Sequence, residues 1–347
     1  MAIIDTYRPS DDRTLNAMYR RVFGPEAAGG NRLRWEWQYR RNPNCPAGGP
    51  QIWVAREGPT AIGQYATMPV RLTVNGREIA ASWGMDVMVA PERQRQGVGE
   101  VLVRTWDQHV GASLALGLSE SSSRLFEKLR WPALGAVPCL SKPLTRRAVR
   151  RPNWPMPVNR LISALTLPVV RIIARQKPLA AGISNIRRFD DGFTGLWDRL
   201  APKFAFCVRR DAAYLNWKFV EPPHVRYTMA ALQCGGELQG YAVYRHVWEP
   251  RGRVTLLVDF LADPDDEAGT QALLRWVDRE ARDANSDKIR TYCLDERFRK
   301  ALRRSGYFQV SSEMTFTAKF NAVEVPAGFY QHTGRWHVTL GDSDQDR

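Results

Sequence analysis

Apolar positions in the first third of the chain switch between two periods. Leu15, Met18, Tyr19, Val22 and Phe23 follow Ser10-Asp11-Asp12 at helical spacing, which predicts a polar-capped helix. Gln51 to Ala55 and Ala61 to Met68 read as strands parted by a turn at Glu57-Gly58-Pro59. In Arg71 to Ala80 two alternating runs flank Asn75-Gly76, a strong hairpin signal. An apolar run through Met88-Val89 follows, then a helix from Gly99 to about Val110 and a short strand at Leu114 to Leu118. A second helix spans Ser121 to Leu129, and Ala133 to Leu140 is the expected closing strand. This order predicts a mixed α/β or α+β domain over residues 1–145, its strands mostly antiparallel.

Residues 186–320 repeat that outline. Trp37-Gln38-Tyr39, with Pro43 beyond it, is echoed by Trp217-Lys218-Phe219 and Pro223. Gly63-Gln64-Tyr65-Ala66 is echoed by Gln239-Gly240-Tyr241-Ala242, and Met85-Asp86-Val87 by Val258-Asp259-Phe260. The matches run in the same order, about 173 to 180 residues apart, which indicates duplication of a whole domain. Between the halves, residues 146–185 begin with Pro152, Pro155 and Pro157, which break any continuous helix there. A linker and a short amphipathic helix are expected in this segment. Residues 321–347 read as a solvated acidic tail. Aromatic positions Trp35, Trp37, Tyr39, Tyr214, Trp217 and Phe219 fit core packing better than a binding platform.

The net charge of +14 is unevenly spread: Lys142 to Arg188 holds eleven basic residues and no Asp or Glu. Such a segment attracts anions. No stretch reaches the roughly 18 apolar residues needed to span a bilayer. The start, Met1-Ala-Ile-Ile-Asp-Thr, lacks a signal-peptide pattern. Five scattered cysteines, none in a Cys-x-x-Cys pair, fit a reducing compartment and no metal site. A cytoplasmic protein is expected.

The candidate chemistry lies between Met85 and Trp106, where an apolar strand feeds Gln94-Arg95-Gln96-Gly97-Val98-Gly99 and then a helix. The first N–H groups of a helix lack intrahelical partners and lie at the positive end of its dipole. Glycines there let a phosphate approach the backbone closely, and Arg93 and Arg95 add charge. The block Val89-Ala-Pro91-Glu92-Arg93-Gln94-Arg95-Gln96-Gly97-Val98-Gly99 resembles the motif of the GCN5-related N-acetyltransferase (GNAT) superfamily. That motif reads Val-x-Pro-(Asp/Glu)-x-(Arg/Gln)-x-x-Gly-x-Gly/Ala. Leu125-Phe126 and Trp131 look like the superfamily's Leu-Tyr-x-x-x-Gly-Phe, and Leu302 to Gly306-Tyr307 like a weaker copy.

The resemblance implies two tandem acetyltransferase-type domains, each a twisted, mostly antiparallel mixed sheet flanked by helices, the second degenerate. It implies acetyl-CoA or another acyl-CoA as co-substrate, no metal, and direct attack of an amine on the thioester. Backbone groups of Val87, Met88 and Val89 would pair with the pantetheine arm. Amides of Gln94, Arg95, Gln96, Gly97, Val98, Gly99 and Glu100 would hold the pyrophosphate. The superfamily's frequent acid, a tyrosine, is Phe126 here, so Ser119 or Tyr65 stands in as candidate acid. Asp86 and then Glu120 are the candidate bases. Asp265-Asp266-Glu267 replace the Gly-rich turn in the second half, where repulsion predicts no cofactor. The leading expectation is an N-acyltransferase acting on a small-molecule or sugar-type amine. The alternative is a non-catalytic module that senses acyl-CoA or binds an anionic surface. On that alternative, residues 146–177 contact an anionic membrane peripherally; no RNA-binding signature appears. The sequence leaves the oligomeric state open.

Overall fold

Asn75 and Gly76 adopt φ of +49° and +79°, the conformation of a two-residue hairpin turn. They join the long strands Thr60–Val74 and Arg77–Val89. What was expected as two strands, at Ala61 to Met68 and from Arg71, is one. The computed structural model describes residues 3–24, 31–150, 153–173 and 182–344. Parts of the basic segment (151–152 and 174–181) and the last three residues of the tail lie outside them.

In chain order the strands of the first half are β1 (Ile3–Thr6), β2 (Ile52–Glu57), β3 (Thr60–Val74), β4 (Arg77–Val89), β5 (Ala112–Leu116) and β6 (Cys139–Pro143). Those that follow are β7 (Ile183–Ile186), β8 (Phe206–Val208), β9 (Thr228–Cys234), β10 (Glu237–Glu249), β11 (Gly252–Ala262), β12 (Lys288–Tyr292), β13 (Phe308–Val310), β14 (Phe316–Phe320) and β15 (Trp336–His337). They form two mixed, mostly antiparallel sheets. The first runs β1-β2-β3-β4-β5-β14, with β8 on the end of β3 and β15 on β8. The second runs β13-β6-β12-β11-β10-β9-β7. Helices Asp12–Phe23, Val98–His109 and Glu120–Lys128 flank the first; Asp191–Leu200, Glu267–Asp283 and Glu296–Arg304 flank the second.

The strand expected to close the first domain leaves it. β6 pairs antiparallel with β12 and β13 in the second sheet, while β14 returns to pair with β5 in the first. Each exchanged strand carries a lysine that meets an aspartate on the other half's helix. Lys142 of β6 sits 3.0 Å from Asp278, and Lys319 of β14 pairs with Asp107. Lys142 is buried, so its charge is tolerable only beside that carboxylate.

The repeat is visible in space. Trp37 and Trp217 stack at 5.1 Å, and each indole N–H donates to the other's backbone carbonyl, at 2.6 and 2.8 Å. Trp37, Tyr214, Trp217 and Phe219 are therefore core, as expected of them.

The tail is solvated only in part: residues 321–335 are exposed or half-buried, whereas 336–344 are buried. Trp336, Val338 and Leu340 are buried, and the segment runs between β11 and the chain after β12. Leu294 N–H donates to Val338 O at 3.1 Å, and Thr339 Oγ1 donates to Asp259 Oδ1 at 2.7 Å. His337 Nε2 lies 3.0 Å from the Phe260 carbonyl and so donates to it. Asp342, read as part of an exposed acidic run, is buried because Arg210 reaches it at 2.8 Å. Lys218 Nζ donates to Ser343 O, and Arg34 pairs with Asp344 at 2.9 Å.

Burial, reinforced by the Arg210 cation, pushes His337 down to about 4. Its unfolded value is near 6.5, so between the two values the unfolded chain binds the extra proton. Stability present above pH 6.5 is thus expected to be lost as the pH falls toward 4, by up to about 3 kcal/mol. Urea midpoints across that range should show the slope, and His337→Gln should flatten it.

Candidate active site

β4 carries the local irregularity that shapes the site. Tyr65 faces Val87, but Thr67 faces Gly84, so β4 holds one extra residue at Met85–Asp86. Such bulges bend a strand and redirect its side chains. β4 pairs with β5 only at Ser82–Ser113 and Trp83–Leu114. Beyond Trp83 the two parallel strands part, and among the described residues no strand lies beside the β5-facing backbone edge of 84–89. Two clefts flank this stretch and meet at Met88, which lines both.

One cleft, of about 560 Å³, lies against the Gly-rich turn. Val87, Met88, Val89, Gln94, Arg95, Gly97, Gly99 and Glu100 line it, together with Ser119, Ser121, Ser122, Leu125 and Lys128. Gly97 caps the helix Val98–His109 with φ +85°, and Arg95 also takes a left-handed φ of +61°. The turn therefore presents the unpaired amides of the helix's first turn to the cleft. Of the residues expected to bind cofactor, Gln96 and Val98 are absent from the lining. The Gln96 side chain donates to Glu92 O at 2.9 Å, and Val98 packs on the apolar cluster of Trp53, Leu102 and Trp106. Arg93 pairs with Glu57, whereas Arg95 is exposed and has no ion pair among the described residues. Glu100, an acid where an anion would sit, is held by Lys128 and by Arg104 at 3.0 Å, and these bonds lower its pKa.

The other cleft, of about 400 Å³, opens between helix Asp12–Phe23, the turn around Trp35 and β4. Its walls are aromatic and polar: Tyr7, Tyr19 and Trp35 beside Asp12, Glu36, Gln64 and Asp86, with Arg13, Arg32 and Arg40. Tyr39 Oη donates to Asp86 Oδ2 at 2.7 Å, which fixes the carboxylate at the bulge. Tyr7 donates to Asp12; burial first, and that carboxylate second, raise the Tyr7 pKa.

The candidate catalytic residues fall apart in space. Asp86 lines the aromatic cleft. Ser119 lines the Gly-rich cleft, where its hydroxyl accepts from Ser122 N–H at 3.2 Å and caps helix Glu120–Lys128. Glu120 lines neither and pairs with Arg124 in solvent. Tyr65 is core, edge-on to Trp106 at 4.9 Å, and burial raises its pKa, so it is no proton donor to either cleft. Phe126 likewise packs on Trp106 and Trp131. Sequence reading missed the aromatic cleft, except for Trp35 and Asp86. It named Ser119 but missed Ser121 and Ser122, whose place at a helix start was a legible signal.

In the second half, β11 and β12 pair over Val254 to Leu257 and then part in the same way. That gap is filled by the segment around Val338. Asp266 caps helix Glu267–Asp283, accepting from Gly269 N–H at 3.0 Å, so a carboxylate stands where the first half has Gly97. Among the described residues no cluster of metal-ligating side chains is present.

Residues 4–117 match the family model described as the acetyltransferase (GNAT) domain. No curated protein matches the sequence. Among solved structures, a GCN5-related N-acetyltransferase from Anabaena variabilis superposes with a TM-score of 0.65 at 12% identity, over 92% of this chain and 73% of that one. A probable N-acyltransferase from Enterococcus faecalis gives 0.64 at 11%, over 93% and 73%. Saccharomyces cerevisiae N-myristoyltransferase with bound myristoyl-CoA gives 0.51 at 13%, over 82% and 72%. At these identities the likeness is one of fold, and it extends over both halves. The chain thus has a tandem GNAT fold. Its first half carries the match to the acetyltransferase domain.

Proposed function

We propose that the protein moves an acyl group from acyl-CoA to the amine of a small, sugar-type acceptor. The carrying observation is that the two clefts share Met88, two residues beyond the β4 bulge, one walled by helix-start amides and Arg95, the other by Asp86 and aromatic rings. The pyrophosphate lies on the amides around Gly97, and the pantetheine arm runs along the free edge of β4. A cleft of about 400 Å³ suits a small molecule, and Tyr7, Tyr19 and Trp35 offer flat faces to a ring.

The acceptor nitrogen attacks the thioester carbonyl carbon. A C–N bond forms, the C–S bond breaks, and the thiolate leaves as the amide is made. Asp86 takes a proton from the amine nitrogen as the C–N bond forms, directly or through water. Ser119, on the cofactor side, is placed to return a proton to the thiolate. Most of the rate comes from holding both reactants in line.

Binding of acetyl-CoA by calorimetry, followed by an acceptor screen that reads free thiol, tests this. Saturable binding and acceptor-dependent thiol release support it; a chain that binds no acyl-CoA overturns it. Asp86→Asn is expected to lower kcat about 100-fold while acetyl-CoA affinity stays within about twofold, the signature of a lost base. Tyr39→Phe, which removes one hydrogen bond to the carboxylate and leaves the carboxylate in place, should cost about tenfold or less. This chemistry gives the basic segment 146–177 no part.

A further inference from the structure

The helix Met156–Ile173 starts after Pro155, carries Pro157 in its first turn, where proline is tolerated, and contains Pro168. It packs on β6 and on the short helix Arg146–Val149. Asn159 and Val170 on it are buried, and Ile162, Thr166 and Leu167 are half-buried. Val158, Leu161, Leu165 and Val169 follow one another at intervals of three, four and four residues and so share one face. At 3.6 residues per turn that face lies roughly 130° round the axis from the buried one. It is open: Leu161 and Leu165 each keep 61% of their surface exposed and Val169 keeps 48%. Including Trp154 and Met156, six of the thirteen exposed large apolar side chains among the described residues fall between 154 and 169. Such concentration on one helix is more than scattered surface apolarity and marks an interaction face.

The surrounding charge selects the partner. The segment from Lys142 to Arg188 has eleven cations and no carboxylate. Arg146, Arg150 and Arg160 are exposed and have no ion pair among the described residues. A second copy of the chain would bring a like-charged segment against this one. An anionic lipid surface instead offers acyl chains to the apolar face and headgroup charge to the arginines. Among the described residues no helix is long and apolar enough to cross a membrane, so the fit is to a helix lying in the interface.

We infer that helix Met156–Ile173 docks the protein on an anionic membrane through the Val158, Leu161, Leu165 and Val169 face, with the flanking arginines on the headgroups. The acyltransferase then works at a lipid surface. None of these residues lines either cleft, so docking and acyl-CoA binding are separable.

The test is sedimentation of the full chain with vesicles of neutral phosphatidylcholine, alone or with about 30 mol % phosphatidylglycerol. Strong partition into the anionic vesicles only, weakened by raising salt from about 0.1 to about 0.5 M, is expected. The double variant Leu161→Glu/Leu165→Glu should lower that partition about tenfold or more, with circular dichroism and acetyl-CoA binding unchanged. Arg146→Glu/Arg150→Glu, which leaves the apolar face intact, should weaken binding in proportion to the salt effect. Equal or absent partition of the wild type into the two vesicle types overturns the inference. So does a Leu161→Glu/Leu165→Glu chain that binds vesicles as the wild type does. A wild type that sediments as a dimer and is made monomeric by that variant would assign the face to a second copy instead. Salt-sensitive RNA binding without vesicle binding would assign the arginines to nucleic acid.

Discussion

Gly97→Glu is expected to abolish acetyl-CoA binding, with a Kd raised at least about 100-fold, while the fold persists. Gly97 caps the helix at φ +85°, and a Cβ there meets nothing within 4 Å. The substitution therefore brings backbone strain of about 1–2 kcal/mol and a negative charge, but no clash. The charge would lie at the amides around Gly97, the proposed pyrophosphate site, against Glu100, whose charge Lys128 and Arg104 already offset. Gly97→Ala carries the strain without the charge and should keep most of the affinity. Calorimetry on the three proteins, with circular dichroism as the fold control, decides the matter. Equal loss in both variants would trace the effect to the backbone; unchanged binding by Gly97→Glu would move the cofactor elsewhere.

Arg210→Met is expected to be the most destabilising single change in the second half. Arg210 is buried and bridges two buried carboxylates, Asp259 at 3.1 Å and Asp342 at 2.8 Å. Its Nη1 also donates to Val208 O at 2.8 Å. Burial works to raise the Asp259 pKa, yet the guanidinium beside it holds the carboxyl below its usual range. Without the cation, two carboxylates would stand unpaired in the interior, costing about 3–5 kcal/mol. A fall of that size in urea stability at neutral pH, with unchanged slope, is the expected result. A loss under about 1 kcal/mol would mean that the carboxylates take up protons or find other donors at little cost.

The Gly-rich turn was legible because its chemistry is contiguous: strand, glycines and helix start follow within a dozen residues. The duplication was legible because Trp37 and Trp217, or Asp86 and Asp259, keep their neighbours. The aromatic cleft was not, because Tyr7, Tyr19, Trp35 and Gln64 come from four separate stretches of chain that only the fold brings to Asp86. Nor could alternation reveal where β6 pairs, since it tells which face of a strand is buried and not which strand lies beside it. The tail misled for an electrostatic reason. Asp342 and Asp344 read as solvated acids until Arg210 and Arg34, more than a hundred residues away in sequence, are set against them.

The crossing of β6 and β14 bears on why the second half persists at all. Its own gap between β11 and β12 is filled by the segment around Val338, so room for a second cofactor there does not account for its retention. A gene cut at residue 145 would encode a first sheet missing its neighbour for β5, with Asp107 stripped of Lys319, and a loose β6 carrying Lys142 without Asp278. Once the duplicated copies had traded strands, neither could be deleted or drift independently. Each half thereby became a permanent structural dependency of the other, free to change its surface but not to leave.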